Sequence, residues 1–174
     1  MSVRKLRGGH AVMLVVDRTE YVAGLQHLAG RQMGAEDGPP AWKCPRESHL
    51  TLQFVGRDLT HRQAGDMIAA AIEMLPVPII LTGETEVFGT SKGTYLVALV
   101  EKTGRLQQCR DLLRSRLEDL GLPTRDDFEW RPHVTLLEAP PRTQLQLLER
   151  CAPEEVRCHQ LEIKYGERRM LVDL

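Results

Sequence analysis

The chain has 174 residues, 42% of them hydrophobic and 27% charged, with a formal net charge of −1. That length buries a full core as one domain, read here as 1–174 with two lobes, and the composition is that of an ordinary soluble protein. Near-neutrality excludes general electrostatic binding of a long nucleic-acid duplex, which takes a strong basic excess, but leaves room for a small anion or the end of one strand.

The cysteines Cys44, Cys109, Cys151 and Cys158 show no C-x-x-C spacing, and the N-terminal apolar run is too short for a secretion signal or a membrane span. Reduced thiols and a cytoplasmic location are expected. A zinc site needs tighter Cys and His spacing than any present, so no metal is expected.

Residues 11–16 form a continuous apolar run, which suits a buried strand. Asp17, with Glu20 three residues on, suggests the N-cap of a helix carrying Val22, Leu25, Leu28, Ala29 and Met33. Residues 34–46 are rich in Gly and Pro and read as a long, functional loop. Its Trp42 is either a base-stacking platform or a hydrophobic anchor. A strand over 49–55 ends at Gly56. Thr60 and Gln63 then make a capping box for a helix with Ala64, Met67, Ile68, Ala71, Ile72 and Leu75 on its apolar face. Residues 78–100 read as a hairpin turning at 89–93, with Lys92 at its tip. A third helix carries Leu106, Cys109, Leu112, Leu113, Leu117 and Leu120, with Gly121 at its C-terminus. A second motif strand begins near Trp130 and stops at Pro140-Pro141. A short helix over 143–150 and two strands, 156–165 and 170–174 around Gly166, complete an α+β order.

Two strands carry the same tetrad. Ser48-His49-Leu50-Thr51-Leu52 and Arg131-Pro132-His133-Val134-Thr135-Leu136 both read His-apolar-Thr-apolar. By chance this composition yields roughly 0.07 such tetrads. In a strand, His and Thr two apart share a face, about 6.6 Å from each other. Leu50, Leu52 and Phe54, and Val134 and Leu136, are then expected to face a core. Two such polar edges brought together place two imidazoles and two hydroxyls around one cavity. Arg131 shares the parity of His133 and Thr135, and Pro132 favours an extended backbone before it. Its guanidinium either reaches a phosphate or pairs with Asp126, Asp127 or Glu129. Glu47 holds the matching place in the first half and is expected to point to solvent.

These residues resemble the two-histidine (2H) phosphoesterase superfamily, and within it the RNA 2′,3′-cyclic phosphodiesterases, also called 2′-5′ RNA ligases. The match rests on His49-Leu50-Thr51-Leu52 with Phe54-Val55-Gly56, on Trp130 through Leu136, on the apolar first strand, and on Gly83 to Gly89 before a hairpin. The resemblance implies a bilobed, pseudo-two-fold α+β fold from an internal duplication, with two antiparallel sheets lining a central cleft and helices outside. It implies His133 as base on water and His49 as acid at the 3′ oxygen.

The chemistry agrees. Breaking a phosphodiester needs one proton taken and one given, and imidazole titrates near neutrality. Thr51 and Thr135 can donate to non-bridging phosphate oxygens. The expected activity is metal- and cofactor-independent hydrolysis of a cyclic or 2′-linked phosphodiester on a nucleotide or RNA 3′ end, by a monomer with no membrane association. Three alternatives remain: cleavage of 2′-5′ oligoadenylates or cyclic oligonucleotide signals, a metallohydrolase with His49 and His133 as ligands, and a non-catalytic binder of nucleotides or RNA ends.

Overall fold

The computed structural model describes residues 5–6, 9–33, 43–45, 47–125 and 129–174. In chain order the elements are β1 (Lys5–Leu6), β2 (His10–Val16), α1 (Glu20–Gln32), β3 (Ser48–Val55), β4 (Leu59–Thr60) and α2 (His61–Ile72). Then come β5 (Ile79–Gly89), β6 (Thr94–Val100), α3 (Gly104–Asp119), β7 (Thr124–Arg125) and β8 (His133–Ala139), followed by β9 (Glu154–Val156), β10 (Gln160–Tyr165) and β11 (Arg168–Asp173). Two antiparallel sheets dominate. The first has the order β11-β10-β2-β3-β7, the second β8-β6-β5-β9.

Each sheet has an apolar face and a polar one. On β2 the core residues are Val12, Leu14 and Val16; on β10 they are Leu161 and Ile163; on β8 they include Val134 and Leu136. Each such aliphatic side chain contributes roughly 1.5–3 kcal/mol on full burial. The motif strands β3 and β8 lie against each other where the two sheets meet. The helices exchange partners. Helix α1 leaves the first sheet and packs on β8 of the second, while α3 leaves the second sheet and packs on β3 of the first.

The caps explain where the helices start and stop. The Thr60–Gln63 capping box is present in both directions. Helix α3 ends at Leu120, with Gly121 at φ +69. There Leu122 N donates to Leu117 O and Gly121 N to Glu118 O, the paired bonds of a Schellman ending. The cap of α1 is Thr19, not Asp17. Its hydroxyl accepts from Val22 N, the amide a cap three residues earlier can reach. Asp17 lies two residues too early and instead pairs with His159 Nδ1 at 2.8 Å.

Other expectations are corrected. Phe54 is 42% exposed, because β3 carries a bulge. Val12 pairs with Gln53 but Met13 with Thr51, so Leu52 has no partner of its own. One extra residue reverses the side-chain parity beyond it: Gln53 and Val55 turn inward and Phe54 outward. Residues 143–150 are not helical. They form neither helix nor strand, with Leu148 buried and its amide donating to Thr85 Oγ1 at 3.0 Å. The expected strand 156–165 is two strands, β9 on the second sheet and β10 on the first. Ile72, Leu75, Leu112 and Leu120 of the apolar stripes are exposed: helix α2 buries Ala64, Met67, Ala70 and Ala71, and α3 buries Leu106, Cys109, Arg110, Leu113 and Leu117.

Candidate active site

The bulge that displaces Phe54 has a counterpart. In β8, Leu96 pairs with Leu137 but Val97 with Thr135, leaving Leu136 without a partner of its own. Leu52 and Leu136 are the last residues of the two tetrads, so each His-x-Thr segment ends on a bulge. Such bulges re-aim side chains beside functional sites. In β3 the bulge carbonyl is held: Arg110 of α3 donates from Nε to Leu52 O at 3.1 Å, while its guanidinium lies 4.8 Å from the Trp130 ring. Trp130 in turn donates from Nε1 to Thr51 O at 3.0 Å. A side chain leading into one motif strand thus fastens the other.

His49, Thr51, His133 and Thr135 are all half-buried on the polar faces. Burial pulls both imidazoles below the usual 6.5. At His49 the carboxylates Glu162 and Glu138 oppose that effect, and Arg169 and Lys164 add to it. At His133 the hydrogen bond to the Arg131 carbonyl opposes it, and the charge of His49 adds to it. The two rings therefore feel each other.

His133 Nδ1 lies 2.7 Å from Arg131 O. A carbonyl only accepts, so Nδ1 carries the proton and neutral His133 presents the bare lone pair of Nε2. Phe88 holds the ring edge-on at 4.7 Å. The helix caps Thr19, Thr60 and Thr103 spend their hydroxyls on backbone amides. Among the described residues, nothing partners the hydroxyls of Thr51 and Thr135.

A cavity of about 500 Å³ opens beside His49, lined by Lys43, Cys44, Pro45, Glu47, Glu138 and Arg169. The end of the long loop forms one wall, because Lys43 exchanges both backbone hydrogen bonds with Glu138 and its ammonium pairs with that carboxylate at 3.0 Å. Among the described residues, no three His, Cys, Asp or Glu side chains cluster to hold a metal ion, and no helix is long and apolar enough to cross a membrane.

The family model described as the 2′-5′ RNA ligase superfamily matches residues 4–167. The chain belongs to that superfamily. Its fold is shared with the E. coli LigT structure complexed with 3′-AMP, at 17% identity and TM-score 0.57 over 96% of each chain. TT0787 of Thermus thermophilus is similar at 18% identity and TM-score 0.65, over 96% of this chain and 95% of that one. Kluyveromyces marxianus Usb1 with uridine monophosphate is similar at 14% identity and TM-score 0.64, over 95% and 98%. No curated protein matches the chain. The superfamily comprises phosphodiesterases and RNA ligase-like enzymes, and the two-sheet fold of this chain is the 2H phosphoesterase fold.

Within this superfamily member the sequence-derived residues fall as follows. Strands β3 and β8, which carry the paired His and Thr, lie against each other, and His133 feels the charge of His49. Arg131 sits beside His133, but its guanidinium is committed to Glu86: Nη1 donates to Oε1 at 2.9 Å and Nη2 to Oε2. Among the acids first considered for it, Glu129 pairs with Lys102, and Asp126 and Asp127 lie outside the described residues, as does Trp42. Glu47 is exposed, as expected, on the rim of the His49 cavity. Lys92 lies with Phe54 in a different cavity. Sequence reading missed Glu86, Glu162 and Arg169. The signal for Glu162 was a lone acid between Leu161 and Ile163; Arg169 carries no local signal beyond its basic neighbour Arg168.

Proposed function

We propose that the chain is a metal-independent phosphodiesterase that opens a cyclic or 2′-linked phosphodiester of a nucleotide or RNA end, with 2′,3′-cyclic phosphate to 2′-phosphate as the preferred reaction. The observation that carries this reading is the duplicated His-x-Thr edge, bulged at the same position in both strands, with both hydroxyls unpartnered among the described residues.

In this scheme His133 Nε2 takes a proton from water as the water oxygen attacks phosphorus. The P–O3′ bond breaks and protonated His49 gives its proton to O3′. The step ends with His133 cationic and His49 neutral, and solvent exchange restores both. The tautomer fixed by the Arg131 carbonyl suits His133 to the base role, and at His49 the carboxylates Glu162 and Glu138 partly offset the burial that disfavours its cation. Thr51 and Thr135 donate to the non-bridging oxygens as their charge rises. Arg131, neutralised by Glu86, is a positioning residue for His133.

Incubation with 2′,3′-cyclic nucleotides in excess chelator, followed by 31P NMR, tests the reaction. The expected product is the 2′-phosphate at an undiminished rate. Turnover only after a divalent ion is added would instead favour the metallohydrolase reading.

A further inference from the structure

Residues paired across a sheet share a face, and the rows through the two motif threonines correspond. In the first sheet the row is Thr51, Met13, Glu162; in the second it is Thr135, Val97, Glu86. Each therefore places a glutamate two strands from its threonine, and each glutamate has an arginine. The pairs differ in kind. Glu86 receives Arg131 on both oxygens, closing a neutral pair. Glu162 is 1% exposed and meets only Arg169 Nε, at 3.3 Å from Oε1. Among the described residues neither oxygen of Glu162 receives a directed hydrogen bond.

The next row deepens the contrast. In the first sheet it runs Phe54, Ala11, Lys164, Arg169; in the second it runs Glu138, Tyr95, Phe88. Lys164 and Arg169 are direct cross-strand partners on the polar face, a placement that repels unless an anion lies between them. Among the described residues the Lys164 ammonium meets no carboxylate. Two cations over one carboxylate leave an excess of one positive charge, while the only carboxylate of the second sheet's row, Glu138, is matched by Lys43. Burying Glu162 gains little stability, since an unsatisfied carboxylate is costly to desolvate. Its position anchors Arg169 in the wall of the His49 cavity.

We propose that Lys164 and Arg169, the latter held by Glu162, form a second phosphate subsite, so that the substrate carries a phosphate on the 5′ side of the reacting nucleotide. This rests on the phosphodiesterase reading for its polarity. In-line attack puts water and leaving oxygen on opposite sides of phosphorus. With water on the His133 side, O3′ and its ribose lie on the His49 side, over the first sheet. The Lys164 row lies about 6.6 Å beyond the Thr51 row along that sheet, and Lys164 itself two strands, about 10 Å, across it from Thr51. Lysine and arginine side chains span such a gap, and Phe54 closes the same row. The preferred substrate class is an oligonucleotide end, rather than a lone cyclic mononucleotide.

Titration calorimetry with two unreactive product analogues, adenosine 2′-monophosphate and adenosine 2′,5′-bisphosphate, tests this at fixed salt. The wild type is expected to bind the bisphosphate at least tenfold more tightly. Lys164→Gln should lower that ratio several-fold, and Lys164→Gln combined with Glu162→Gln and Arg169→Gln should bring it near one. The triple variant also removes the buried charge that Arg169→Gln alone would strand. A wild-type ratio near one, or a ratio that persists in the folded variants, overturns the proposal. The binding readout is independent of turnover. A protein inactive on every cyclic phosphate but showing the Lys164-dependent ratio would keep the subsite and lose the reaction.

Discussion

His133 is more than a ring on a strand: the Arg131 carbonyl fixes its tautomer, and Arg131 is itself held by Glu86. Both imidazoles are depressed below 6.5 by burial. In the free protein the proposed acid is therefore scarce and the proposed base abundant at neutral pH. The kcat/KM profile should peak on the acid side of about 6.5, falling above it as the imidazolium is lost and below it as the base is protonated, with limbs that belong to the coupled pair. A bound phosphate anion favours imidazolium, so the kcat profile should lie at higher pH. A kcat/KM maximum above pH 8 would contradict this. The hydroxyls make a second test. Thr51→Val and Thr135→Val keep the branched shape and delete a donor, and each should cost about 10²–10³ in kcat, or about 2.7–4 kcal/mol, with little change in melting temperature. Full activity with reduced stability would make the hydroxyls structural.

At the scale of elements, the motif strands, the capping box and the glycine-terminated third helix were legible, because each depends on neighbours within a few residues. The bulges were not. A bulge is a mismatch in count between two strands, and Leu52 shows nothing by itself that Gln53 pairs with Val12 while Thr51 pairs with Met13. Residues 143–150 misled for a related reason. Their partners are distant in sequence: Leu148 N donates to Thr85 Oγ1, and the following Cys151 N to the carbonyl of Gly83. At φ +81 it brings its carbonyl to Cys151 N at 3.1 Å, where an added Cβ would sit 2.0 Å from Cys151 O. Gly83→Ala should therefore destabilise by more than the 1–3 kcal/mol typical of backbone strain, and urea denaturation measures it. Leu50→Asp and Val134→Asp, on the core face beside each His, should prevent folding, since both side chains are fully buried. Soluble, active protein from either would put the strand register in error.

Over the whole molecule, the exchange of α1 and α3 between sheets binds the lobes, and the site lies on that junction. Its polar groups were half legible. The His and Thr pairs follow from local alternation, whereas Glu86 and Glu162 reach the site only through pairing across three strands, and Arg169 across four. Stability should register the same buried rings. Each imidazole has a folded-state pKa below its unfolded value, so the unfolded chain binds more protons between the two. The stability gained by keeping the rings neutral is complete above about 6.5 and is lost as pH falls through the folded values. The urea midpoint should thus drop between pH 7.5 and 5 more for the wild type than for the His49→Gln, His133→Gln double variant; equal drops would place the titration elsewhere.

The central claim is that the two imidazoles act as one proton-transferring unit, and single-turnover and steady-state rates on a 2′,3′-cyclic phosphate test it most directly. His49→Ala and His133→Ala should each lower kcat by about 10² or more in folded protein, and the double variant should be little slower than the worse single, because a transfer system missing one partner loses the use of the other. Near-wild-type turnover by either folded single variant, or losses that simply multiply in the double, would contradict the account.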